Sequence, residues 1–371
     1  MRARTSSWQL AACNCVQHRR RAFLGRMTTA GLALATTGSL GALGGAAREA
    51  HAADGPARES AQPGTVDIHH HLLPPDYIAA SAAARTGERA PAWTIERSLE
   101  DMDRNRIRTA VVSLTQPGVW IGEAAKPRAL ARAANEYAAR MAHDHRGRFG
   151  SFAAIPLPDT EGSLREIEYA FDTLHADGIG LMTSYGEKWL GDPAFWPVME
   201  ELNRRRAVIY THPLGNDCCK NIQPEFSAST IEYATDTTRT IGSLLFQGTA
   251  ARFPDIRWIF SHGGGTMPFL LSRFERVEAT MKERQARLPL GLMHELRKFH
   301  YDTAQANHPG ALDALLRIVP VSQVLFGTDY PFRPGEEEVS ALAARGFSSA
   351  DRLAIKSGNA LRLMPRLGRG T

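Results

Sequence analysis

Short apolar runs and longer amphipathic stretches alternate along most of this chain. The runs are Thr65–His69, Thr109–Leu114, Phe149–Pro156, Gly178–Ser184, Ala207–Pro213, Ile256–Gly263, Phe299–Thr303 and Gln323–Pro331. Most are rich in Val, Ile and Phe and too short for helices, the pattern of strands buried on both faces in a parallel sheet. Between them the apolar positions take helical spacing, over Ile95–Asn105, Pro127–Arg146, Glu161–His175, Pro193–Arg205, Thr230–Arg252, Thr266–Arg284, Leu312–Ile318 and Glu336–Arg345. A last helix is expected over Ser348–Met364. Eight strand–helix pairs in one domain predict an α/β fold of the single (β/α)8 barrel type. A doubly wound sheet would need a Gly-rich turn after its first strand. Here Ile68 is followed by His-His-His-Leu-Leu-Pro-Pro.

The pattern begins only at residue 65. Arg20-Arg21-Ala22-Phe23-Leu24, then a weakly apolar Gly- and Ala-rich stretch, then Ala50-His51-Ala52, reads as a twin-arginine export signal over residues 1–52 with cleavage after Ala52. The glycines make that stretch a poor membrane anchor, so no stable membrane insertion is expected after cleavage. Residues 53–64, polar and carrying two prolines, read as a disordered lead-in, and residues 65–371 as the barrel. The location expected is periplasmic or secreted.

Removing the signal changes the charge balance. The chain has 44 basic and 39 acidic residues, of which residues 1–52 hold seven and one, leaving 37 and 38. The mature part is nearly neutral, and nothing in it suggests nucleic-acid binding. Cys13 and Cys15 leave with the signal. Cys218 and Cys219 are adjacent, and a bridge between neighbours would be strained, so no disulfide framework is expected.

Barrel enzymes carry their reactive groups at the C-terminal ends of the strands. Four predicted strand ends bear His or Asp: Asp67-Ile68-His69-His70-His71, Thr211-His212-Pro213, Ser261-His262-Gly263-Gly264-Gly265 and Gly327-Thr328-Asp329-Tyr330-Pro331. Side chains alternate along a strand, so His69 and His71 point one way and His70 the other. With His212 and Asp329 they make a nitrogen-rich set suited to zinc, iron or manganese. His262 is a fifth group, a further ligand or a general acid–base. The fourth strand ends Gly180-Leu181-Met182-Thr183-Ser184 with no Lys or Glu to bridge a second ion, which favours a single metal.

These motifs, with Pro268-Phe269 and Arg273 after the sixth strand, resemble the amidohydrolase superfamily in the branch of aminocarboxymuconate-semialdehyde decarboxylase and related non-oxidative decarboxylases. The resemblance covers nearly the whole mature chain. It implies that His69, His71, His212 and Asp329 hold one divalent ion, most often zinc with manganese as the alternative. It implies that His262, with Asp329 beside it, is the acid–base that activates metal-bound water. Arg273 would reach a substrate carboxylate across a homodimer interface. Asp302, at the end of the seventh strand, would orient His262 or bind substrate. Two departures count against the muconate semialdehyde itself: Arg97 is out of register with the family's second arginine, and Leu214-Gly215 follows His212-Pro213. Salicylate-type aromatic acids stay open as substrates. The expectation is a metal-dependent decarboxylase of a small aromatic or unsaturated carboxylic acid; the same donors would also serve a hydrolase of a lactone, ester or amide.

Overall fold

The computed structural model describes residues 64–84, 91–121, 127–215 and 227–368. The export segment, nearly all of the lead-in and Cys218–Cys219 lie outside these. Eight parallel strands form the central sheet: β1 (Thr65–His71), β2 (Ile107–Ser113), β3 (Phe149–Ala154), β4 (Gly178–Met182), β5 (Val208–His212), β6 (Arg257–Phe260), β7 (His300–Asp302) and β8 (Val324–Leu325), hydrogen-bonded in that order. Beyond its short ladder, β8 turns onto β1. Ile68 N donates to Phe326 O at 3.0 Å, Asp329 N to His69 O at 2.8 Å and His71 N to Tyr330 O at 2.7 Å. Those bonds close the sheet into the expected (β/α)8 barrel, and they bring the ends of β1 and β8 side by side.

One principal helix follows each strand: α1 (Ile95–Arg104), α2 (Pro127–Asp144), α3 (Thr160–Glu168), α4 (Trp196–Arg204), α5 (Glu232–Phe246), α6 (Met267–Thr280), α7 (Pro309–Leu316) and α8 (Gly335–Ala344). Their starts are chemically marked. Thr94 caps α1 by accepting Arg97 N, and Asp159 caps α3 by accepting Gly162 N. Three helices expected to run on do not. The helix expected over Thr230–Arg252 breaks where Gly248 takes a left-handed φ of 78°. α3 passes into a π-helical turn at Tyr169–Thr173, and α6 ends at Thr280 because Met281 is extended. Two one-to-two-turn helices, Pro75–Ser81 and Leu292–Lys298, were too short for a periodic signal.

The two ends of the barrel are used differently. Val66, Ile68, Val111, Phe152, Tyr210 and Ile259 pack inside it. Leu363, Met364 and Leu367 of the C-terminal segment join the same apolar cluster, and Arg257 Nη1 donates to Leu363 O at 3.2 Å. The tail therefore plugs the barrel, leaving the C-terminal strand ends as the functional mouth. Truncating this plug should cost stability without touching the mouth. Leu363→Ala is expected to lower the unfolding free energy by about 2–4 kcal/mol in urea titrations; a loss below about 1 kcal/mol would show that the plug is not packed.

Candidate metal centre and active site

β1 supplies two of the four expected donors through an irregular strand end. Its register against β2 slips between Asp67 and His70, a bulge that re-aims side chains. His69 and His71 face the barrel mouth, while His70 turns away to stack on Tyr330, with ring centroids 4.8 Å apart, and to meet Ser98 Oγ at 3.1 Å. Asp67 fixes this arrangement. Its Oδ1 accepts the amides of His69 and Thr328, each at 3.0 Å, and its Oδ2 accepts Thr328 Oγ1 at 2.6 Å. One buried carboxylate thus ties β1 to the turn that presents Asp329.

The donors converge. His69 Nε2 and His71 Nε2 lie 3.1 Å apart, and Asp329 Oδ1 is 3.2 Å and 3.0 Å from them. With His212, the four ligand atoms fall within 4.8 Å of one another and all four residues are buried. Each ring's other nitrogen faces an oxygen: His69 Nδ1 meets Asp302 Oδ2 at 2.8 Å, His71 Nδ1 the Ser113 carbonyl at 3.4 Å, and His212 Nδ1 the Pro213 carbonyl at 2.9 Å. These acceptors place the ring proton on Nδ1 and leave the Nε2 lone pairs directed inward. Donors about 2.1 Å from a tetrahedral ion stand about 3.4 Å from each other, close to the spacing within the His69–His71–Asp329 group. Three imidazoles and a carboxylate therefore fit one divalent ion.

The electrostatics agree with that fit. Burial, reinforced by His69, pushes His71 down, and burial with His71 and His69 pushes His212 well below its ordinary range, so both rings favour the neutral, ligating form. Burial alone would raise Asp329, but the His69 charge and the neighbouring imidazoles hold it well below the usual carboxylate range. At His69 burial is overcome by Asp302 and Asp329, which push it up to about 10. A cation held at that ring would take the place of this proton.

His262 sits beside the cluster on a left-handed residue, φ 52°. Its ring centroid is 5.0 Å from that of His69, its Nε2 is 3.6 Å from Asp329 Oδ2, and among the described residues neither of its buried ring nitrogens has a hydrogen-bond partner. An imidazole so placed is free to bond a substrate. The glycines behind it serve packing. A Cβ on Gly264 would fall 2.8 Å from the Tyr301 ring, and one on Gly265 only 2.0 Å from Ala234 O of α5. They admit neighbouring protein rather than substrate.

Two expected substrate contacts are placed elsewhere. Asp302 is fully buried; its Oδ2 takes His69, and its Oδ1 accepts the amides of His262 at 2.8 Å and Ala304 at 3.1 Å. With both oxygens so used it supports a ligand and the His262 turn. Arg273 lies exposed on α6, makes no hydrogen bond or ion pair among the described residues, and does not join the cluster of its own chain. The sequence assigns no role to several other residues at the mouth. Phe332 and Tyr233 flank the donors, their rings 5.4 Å from His71 and 6.0 Å from His212. Asp67 did carry a signal, a charge inside an apolar run. Gln305, whose side chain donates to Asp329, carried none.

The family model for amidohydrolases matches residues 66–366, from the first strand to the tail plug. The chain belongs to the amidohydrolase family. It is 38% identical to a decarboxylase of Aspergillus niger, over 72% of this chain and 77% of that protein. It is 35% identical to the 6-methylsalicylic acid decarboxylase of Aspergillus aculeatus, over 82% and 97%. Among solved structures, the dihydroxybenzoic acid decarboxylase of Polaromonas sp. JS666, determined with bound manganese, shares the fold at a TM-score of 0.72 and 23% identity, over 82% of this chain and 98% of that one.

The donor assignment for this amidohydrolase-family chain is tested by metal analysis of purified variants. Replacing His71 or His212 by Ala should abolish stoichiometric metal, while His70→Gln and His262→Gln should retain it. Loss of metal from His70→Gln with retention in His212→Ala would reverse the assignment.

Proposed function

We propose that this chain is a non-oxidative decarboxylase of a salicylate-type aromatic acid bearing an apolar ring substituent. The observation that carries the reading is the pairing of His262, its ring nitrogens free of hydrogen-bond partners among the described residues, with the four-donor cluster, near a small apolar cavity. Leu114, Val119, Ala154, Ile155, Met182 and Tyr185 line that cavity. Met182, one of these residues, pairs in register with His212 of the donor set. Phe332 and Tyr233 set aromatic rings beside the donors themselves, which suits a flat substrate ring. The relatives at 34% and 35% identity named 6-methylsalicylic acid decarboxylases support the same substrate chemistry.

His69, His71, His212 and Asp329 would hold the ion, for which three imidazoles favour zinc, with manganese as the other outcome of metal analysis. When bound, a divalent ion supplies Lewis-acid stabilisation of negative charge on the substrate. The chain's own residues do the rest. Asp302 orients His69 and pins the His262 turn. His262 delivers a proton to the ring carbon that bears the carboxylate. The C–C bond then breaks, its electron pair restores the aromatic ring, and carbon dioxide leaves. Water returns the proton to His262.

The test is turnover in deuterated water with salicylate, 6-methylsalicylate and 2,6-dihydroxybenzoate. The expected result is carbon dioxide release with one deuterium at the former carboxyl position, and a 10²–10⁴-fold lower kcat in His262→Gln. No carbon dioxide from any of these acids, with turnover of lactones that places labelled water oxygen in the product, would select the hydrolase reading instead.

Two further parts of the proposal concern the whole protein. We infer a homodimer through α6. Among its fourteen residues only Met267 is buried, and Phe269 and Val277 are 87% and 43% exposed beside Arg273. An apolar face next to an unpaired arginine suits a second copy whose Arg273 meets the substrate carboxylate. Phe269→Glu should halve the mass in sedimentation; an unchanged mass would count against this face. We also infer twin-arginine export, supported by Arg20-Arg21 and by a buried metal centre that suits a route carrying folded proteins. Replacing both arginines by Lys should retain the precursor in the cytoplasm, and undiminished export would contradict it.

A further inference from the structure

The loop after β7 makes a contact with the metal-centre carboxylate that the function above does not use. Gln305 adopts a left-handed backbone, φ 53°. For a residue with a Cβ this costs about 1–2 kcal/mol, so the surroundings must hold it there. They do so through Glu338 of α8. Gln305 N donates to Glu338 Oε1 at 2.7 Å, and Asn307 Nδ2 donates to Glu338 Oε2. Glu338 is only 6% exposed, whereas Gln305 itself is exposed at the mouth. The clamp sits in the protein and the held side chain faces the site.

Among the described residues that side chain makes one hydrogen bond. Gln305 Nε2 donates to Asp329 Oδ2. The other carboxylate oxygen, Oδ1, is the one within 3.2 Å of both His69 and His71. Asp329 is thereby split, with one oxygen turned to the donors and one tied to Gln305. A carboxylate with both oxygens free can rotate, chelate through both, or take a proton. His262 Nε2 approaches the same Oδ2, at 3.6 Å, without bonding it. Gln305 therefore also satisfies the oxygen that would otherwise draw in the His262 ring.

We propose that Gln305 is a positioning residue that holds Asp329 as a single-oxygen ligand and leaves His262 unbonded, with Glu338 and Asn307 locking the loop that presents it. The inference rests on the metal-centre reading and is independent of which acid is the substrate. Partners that orient a ligand are worth about 10–100-fold in metal affinity or activity.

Zinc affinity of the metal-free protein, measured by competition with a chromophoric chelator, tests this without turnover. Gln305→Leu, of similar length but with no donor, should bind zinc 10–100-fold more weakly. Because the side chain is exposed, the melting temperature of metal-free Gln305→Leu should match wild type. Unchanged zinc affinity in Gln305→Leu would overturn the proposal. So would a loss of affinity matched by an equal loss of metal-free stability. A wild-type protein that binds no zinc would instead remove the metal-centre reading beneath it, a result visible before any variant is compared.

Discussion

Everything at the mouth of this barrel follows from lone pairs forced to converge. His69 Nε2, His71 Nε2 and Asp329 Oδ1 stand within 3.2 Å of one another in a buried pocket. Electron-rich atoms at that spacing repel in a low dielectric unless a proton or a cation lies between them. The chain does not relax the repulsion by rotating the rings. It pins each Nδ1 on an oxygen: Asp302 at the end of β7 for His69, the Ser113 carbonyl at the end of β2 for His71, and the carbonyl of the adjacent Pro213 for His212. A site held open against its own repulsion is prepared for a cation, and the chemistry at the mouth of this amidohydrolase-family chain is built around that preparation.

The cost of the preparation is visible in the backbone. His262, Gln305 and Asp329, at the ends of β6, β7 and β8, all have positive φ. Each such residue costs on the order of 1–2 kcal/mol, and strain of this kind persists only where the surroundings over-determine it. Here they do. Asp302 accepts the His262 amide, Glu338 accepts the Gln305 amide, and the Asp329 amide donates to His69 O. The rigid parallel sheet and the apolar plug at its far end supply the stability that offsets these strained ends. The division of labour is spatial: packing below, polar geometry above.

Much of this was legible in the sequence because the barrel repeats one signal eight times. All eight strands appear where apolar runs predicted them, and the His and Asp residues at four of their ends meet because the fold places every strand end on one rim. The two-residue spacing of His69 and His71 survived a bulge between Asp67 and His70 that sequence alternation does not anticipate. What could not be read was contact between elements. Asp302 was visible as a strand-end acid, but its attachment to His69 depends on two strands distant in sequence. Gln305 and Glu338 carry no pattern, because a left-handed loop residue and a helix-face acid acquire meaning only when α8 packs against the β7 loop. Helix ends at Glu168 and Thr280 were likewise set by local backbone geometry that periodicity does not record.

The most direct test of the account is a crystal structure of the purified protein with anomalous data collected at the absorption edge of its bound metal. The account predicts one peak per chain, coordinated by Nε2 of His69, His71 and His212 and by one oxygen of Asp329, with His262 outside the coordination sphere. Two peaks in the barrel mouth, a peak bound through His70, or a fully formed pocket with no peak would contradict it.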